Sequence, residues 1–200
     1  MTSAVETRAT ASSGWQLIVF GGVRIGIVTA IGVAAFSLLS TALAGPVETV
    51  VQSLFVLAGG ALFAYWPAAI FGPRDVDGIA WTAMIGLLGA VSFTVIDTAA
   101  LRSLDLYHWT WDAIGGGSGF WYVPVWFMAS AVLAWLGGWV RANSGSEAVA
   151  VTAAKTVGIG IVLAAVLIGI GLVPFHAAGI ALAYVIGLVI HVPLSAMMGG

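Results

Sequence analysis

The chain has 200 residues, of which 61% are hydrophobic and 7% charged, with a net charge of −2, and its mean hydropathy is +1.11. A soluble domain carries about 25% charged residues, so a soluble globular class is excluded, and six basic residues make no surface for nucleic acid. The absence of cysteine removes disulfides, thiol catalysis and iron–sulfur ligation.

Crossing a hydrocarbon core of about 30 Å takes about 20 apolar residues as helix. A spanning barrel instead needs segments of about ten residues that alternate apolar and polar, and runs such as 157–173 show no alternation. The predicted fold is therefore all-α: a polytopic membrane protein of six transmembrane helices, with a polar N-terminal tail at 1–14 and one membrane domain over 15–200. The helices are expected at about 16–43, 48–71, 79–101, 120–140, 152–173 and 176–198, with a long loop at 102–119. Gly and Pro punctuate the connections, from Gly45-Pro46 through "GPRDVDG" at 72–78 to "VPFHA" at 173–177.

The first run carries small residues four apart, Gly22, Gly26, Ala30 and Ala34, which lets a second helix approach closely in lipid. Arg24 points away from that stripe, about 10–14 Å from the helix start by a rise of 1.5 Å per residue, and is expected to snorkel toward headgroups. Ala42-Leu43-Ala44 has the pattern of a signal-peptidase site. The apolar run before it is nearly twice a signal h-region, so it is read as a retained span.

In the third run Gly86, Ala90 and Asp97 fall within a narrow arc. An ionisable residue in a span is costly and faces protein or water, so Asp97 is a candidate for solute binding or proton coupling. Its place near the outer end also allows a simple pair with Arg102.

The loop that follows, "YHWTWDAIGGGSGFWYVPVW" at 107–126, holds four of the nine tryptophans and one of three histidines. Tryptophan favours the headgroup level, which makes this an outer interfacial segment, and His108, Trp109 and Trp111 could line a ligand mouth. Asp105, His108 and Asp112 have a three-and-four spacing that would align oxygen and imidazole ligands for a divalent metal on a helical extension. No second ligand shell accompanies them, and no cofactor is expected.

Gly116-Gly117-Ser118-Gly119 opens the fourth run, and here the chain resembles the rhomboid intramembrane proteases. In that family a six-helix domain carries a nucleophilic serine in G-x-S-G at the start of the fourth helix and a base histidine in the sixth. The resemblance implies Ser118 as nucleophile and His176, in "HAAG", as base. The chain departs from the family in its short connection around Gly45-Pro46 and in the bulky "FWYVPVWF" after the serine.

The last run has a second small stripe, Gly179, Ala183 and Gly187, and His176 and His191 project to the same side at 100° per residue. Both histidines are therefore expected to look into the bundle. About 22 Å of helical rise separates them, too far for both to ligate one haem. Walker A and His–Glu–x–x–His motifs are absent, and Lys155 at a helix start suits neither a nucleotide loop nor a Schiff base in the last span.

Threading six spans gathers Arg8, Arg74, Arg141 and Lys155 on one side, with Arg24 close to it and only Arg102 on the other. The positive-inside rule then makes both termini cytoplasmic and points to a multi-pass protein of a prokaryotic inner membrane. The chain looks broadly like the substrate-binding membrane components of energy-coupling-factor transporters, in helix number and in the small residues of its first helix. Binding or translocation of a small solute is the expected function, and a non-catalytic subunit of a larger membrane complex is the alternative. The expected partners are the lipid bilayer and either other membrane subunits or further copies of the chain.

Overall fold

The computed structural model describes residues 2–104, 126–145, 147–173, 175 and 177–198, and the side chains of 2–13, 177, 178, 195 and 198 lie outside that description. Among the described residues there are six α-helices and no strand. They are α1 (Thr2–Ala42), α2 (Gly45–Phe71), α3 (Val76–Ile96), α4 (Ala129–Asn143), α5 (Val149–Gly169) and α6 (Ala177–Met198), and a π-helical turn, Asp97–Leu101, extends α3. The polar tail expected at 1–14 is thus helical from Thr2 and continuous with the first apolar run.

Among the described residues four helices are long and apolar enough to cross a membrane: Gly14–Ala42, Gly45–Phe71, Val76–Leu101 and Val149–Gly169, with Gly179–Leu194 a shorter apolar helix. Such a set fits a membrane-embedded, multi-pass chain. Much of the outward surface is apolar, as at Ile31, Leu54, Val95, Val162 and Leu172, because in lipid the apolar residues need not face a core.

Local chemistry explains the boundaries. At the start of α2 Gly45 takes φ +66° and Pro46 occupies the first turn, where its missing N–H costs no hydrogen bond. That helix ends at Gly72, φ +67°, whose N–H bonds the Ala68 carbonyl at 2.9 Å. Asp75 caps α3 by accepting from the Gly78 N–H at 2.7 Å, satisfying a donor the helix leaves open. α5 stops at Gly169, and Gly171 takes φ +73°.

Helix α2 touches each of the other five, α1 packs chiefly on α3, and α5 packs chiefly on α6. The seams are where the small residues put them. A Cβ at Gly22 would lie 2.5 Å from Leu88 Cβ, and one at Gly26 would lie 2.5 Å from Ser92 Cβ, so the α1 stripe is the α1–α3 contact. The tightest approach is α4 on α2, where a Cβ at Gly137 would fall 1.9 Å from the Ala64 carbonyl oxygen. On α6, Gly187 backs onto Gly160 of α5, and the Tyr184 ring fills the space over Gly60 of α2 and Gly160.

One end of the bundle, where α1 starts and α2 and α4 finish, holds Arg74, Asp75, Asp77, Arg141, Glu147 and Lys155. Paired indoles flank it, Trp15 with Trp81 at 5.5 Å and Trp135 with Trp139 at 5.2 Å between ring centroids.

Candidate functional site

Among the buried polar side chains of the described residues, two groups involve ionisable residues linked to partners. The first joins three helices about 10 Å in from the charged end, by a rise of 1.5 Å per residue. Helix α5 buries Thr152, Thr156, Gly160 and Ala164, each four apart, so its inward face is small and hydroxylated where the rest of the helix, Lys155 apart, is apolar. Thr156 Oγ1 donates to the Thr152 carbonyl at 3.1 Å and lies 2.6 Å from His191 Nδ1 on α6. It also bonds the hydroxyl of Tyr65 on α2. All three side chains are buried, Thr156 completely.

A hydroxyl has one hydrogen and two lone pairs, and a neutral imidazole nitrogen either donates or accepts. With its hydrogen on the Thr152 carbonyl, Thr156 accepts from the Tyr65 O–H and from a protonated Nδ1. With its hydrogen turned to a bare Nδ1, it accepts from Tyr65 alone. The same heavy atoms therefore accommodate both states of the ring nitrogen, which is what a proton-exchanging histidine needs.

The group continues to the bundle end. Thr152 Oγ1 donates to Glu147 Oε2 at 3.1 Å, and Glu147 forms an ion pair with Lys155. Arg141 Nη1 fixes the backbone of that turn by donating to the Gly145 carbonyl at 3.1 Å and the Glu147 carbonyl at 3.0 Å. The hydrogen bond from Lys155 holds the Glu147 carboxyl below its usual range against the opposing effect of burial, and the bond from Thr152 and the charge of Lys155 add to the lowering. Tyr184, packed beside this group, is 2% exposed, and its hydroxyl has no hydrogen-bond partner among the described residues.

The second group lies at the opposite end. Asp97 is fully buried, and Arg102 Nε donates to its Oδ2 at 3.1 Å. In regular α geometry a residue five positions on points about 140° away. The π-helical turn, closed by the Arg102 N–H on the Asp97 carbonyl at 2.9 Å, brings Arg102 round to Asp97. Gly86 and Ala90 are buried along the same face of α3.

Of the site residues expected from sequence, Asp97 and His191 are placed, both buried and at different ends of the bundle. Ser118, Asp105, His108, Trp109, Trp111, Asp112 and His176 lie outside the described residues. Among the described residues no three His, Asp or Glu side chains cluster as metal ligands do. Sequence reasoning missed Tyr65, Thr152 and Thr156. The four-residue spacing of Thr152, Thr156, Gly160 and Ala164 is the available signal, a small, hydroxylated stripe on a helix that is apolar apart from Lys155.

These features define an all-helical chain with several helices able to span a membrane and with polar groups buried between them. Comparison with family models, with characterised proteins and with solved structures finds no match to this chain.

Proposed function

We propose that the chain is a multi-pass integral membrane protein that binds or translocates a small solute through its helix-bundle interior, with Tyr65, Thr156 and His191 as the polar station of the path. The observation that supports this most directly is the hydrogen-bonded group joining α2, α5 and α6 and running through Thr152 to the Glu147–Lys155 pair. Polar side chains inside a membrane are expensive and mark solute or proton pathways by default. Asp97 is a second station near the other end.

In this reading α4 and α6 complete six spans, and both termini are cytoplasmic, since the end with Arg74, Arg141 and Lys155 is the basic one. A prokaryotic inner membrane is the proposed location. The test is permeation into vesicles reconstituted with the purified protein, followed for a panel of small solutes by light scattering and for protons by an enclosed pH dye. Thr156→Val is expected to lower the rate for one of these while the protein remains monodisperse. Flux indistinguishable from empty vesicles across the panel would remove the proposal.

The alternative, an integral subunit of a larger complex, is favoured by one observation, the outward arginine on α1. Ser118 and His176 lie outside the described residues and bear on neither reading.

A further inference from the structure

Arg24 stands on the exposed side of α1, opposite the Gly22–Gly26 seam that α3 covers. Its neighbours on that side are Leu17, Phe20, Ile27 and Ile31, exposed by 42%, 62%, 46% and 65%. The set 17, 20, 24, 27, 31 advances by three and four residues in turn, the spacing of a helix–helix contact seam. It is an apolar stripe with a single charge in it.

The depth of that charge follows from the α1–α3 contact. Gly22 meets Leu88 and Gly26 meets Ser92, so the two helices run side by side in the same direction, with Arg24 level with the residues between 88 and 92. The apolar helix of α3 covers Val76–Leu101, and its midpoint falls at Leu88–Gly89. Arg24 is therefore within one turn of the middle of the span, about 15 Å from either edge of a 30 Å hydrocarbon core. That is farther than three methylenes and a guanidinium extend, so the snorkelling expected from sequence does not bring it to the headgroups.

Among the described residues no carboxylate answers it. The ion pairs among the described residues join Asp97 to Arg102 and Glu147 to Lys155. A lone guanidinium facing lipid at mid-depth is strongly unfavourable, and such residues are found paired. A second copy does not supply the partner, because a two-fold axis along the membrane normal sets Arg24 against its own copy, like charge on like.

We propose that the Leu17–Ile31 face of α1 binds a transmembrane helix of a different protein chain, and that this helix carries an aspartate or glutamate at the level of Arg24. The guanidinium fork then bonds the carboxylate in two-point geometry, and the flanking Phe20, Ile27 and Ile31 supply the apolar contact. This surface lies on the outside of the bundle and is independent of the solute path proposed above.

The experiment places a benzophenone amino acid at Ile27 in the full-length chain in its native membrane, and maps the crosslinked peptide by mass spectrometry. The expected product is one membrane-spanning segment of a different chain with Asp or Glu within a turn of the crosslink. Arg24→Leu is expected to lower the yield roughly tenfold, as loss of an interhelical polar contact worth 1–2 kcal/mol implies, and Arg24→Lys to retain most of it. Arg24→Asp abolishes the crosslink, and exchanging the partner's acid for arginine restores it. Crosslinks to lipid alone, to a second copy or to nothing overturn the proposal, as does a partner whose yield is unchanged in Arg24→Leu. Elution of each variant as a single species in detergent shows that the bundle has folded.

Discussion

Thr156 Oγ1 lies 2.6 Å from Nδ1 of His191, a polar join between α5 and α6 one turn along each helix from where Gly187 backs onto Gly160. The small residues bring the two backbones close enough for a threonine to reach a histidine on the next helix. Tyr65 closes the group from α2. Packing and chemistry thus share one stripe of α5.

The two buried tyrosines separate hydrogen bonding from ring packing. Tyr65→Phe removes a partner of Thr156 and is expected to destabilise the protein by about 0.5–2 kcal/mol, the range for interhelical polar contacts in membranes. Tyr184→Phe removes a hydroxyl that bonds nothing among the described residues, and the folded state should be unchanged or slightly more stable. Thermal unfolding of both variants in the same detergent checks the contrast, and an equal loss in the two would contradict it.

A matching contrast exists among the glycines. Gly137→Ala puts a methyl group onto the Ala64 carbonyl of α2, so α4 must move, at a cost of about 1–3 kcal/mol or more for overpacking. Gly158→Ala on α5 meets nothing within 4 Å and should stabilise by up to about 1 kcal/mol through helix propensity. Unfolding temperatures that fall for the first and hold or rise for the second are the expected outcome.

The Asp97–Arg102 pair is predicted to be asymmetric under mutation. Arg102→Ala removes an ion-pair partner of a fully buried carboxylate, and breaking a buried pair from one side costs about 3–5 kcal/mol. Asp97→Asn leaves a neutral, hydrogen-bonding group in the same volume and should cost less. If Asp97 is also a solute station, Asp97→Asn lowers flux in vesicles more than it lowers stability, whereas a purely structural role would lower the two together.

Acid stability reports on the turn before α5. The Glu147 carboxyl is depressed chiefly by its hydrogen bond from Lys155, so its folded-state value lies below its unfolded one. Its contribution is therefore complete above the ordinary glutamate range and is lost as pH falls through the depressed value. Glu147→Gln should flatten that part of the stability profile without changing it near neutrality by more than a surface pair does. Unfolding temperature against pH, in the wild type and the variant, measures it.

Much of this was legible in the residues. The Gly22–Gly26 stripe announced a close contact because only small side chains permit one, and α3 occupies it. His191 was read as inward from the face it shares with Ala183 and Gly187, and it is buried. Helix ends were harder. The α5 apolar run continues through Val173, but the chain turns at Gly171, and hydropathy carries no stop signal when the turn is itself apolar. Pro46, read as part of a connection, starts a helix instead. The π-helical turn at Asp97 had no sequence signature, since it depends on where Arg102 finds its carboxylate. Thr156 reads as structural in the sequence because a threonine in a helix commonly satisfies itself on the carbonyl four residues back, as it does here. Its second role appears only when residues 65, 156 and 191 meet in space.

The central claim is that the interior polar group handles a solute and does more than hold three helices together. Native mass spectrometry of the protein, extracted gently from its own membrane, tests it most directly by reading any small bound mass. A reproducible small ligand on the wild type that is absent from a Thr156→Val, His191→Ala double variant still eluting as a single folded species is the predicted result. A wild type that carries no small mass, or a mass unchanged in the double variant, would contradict it.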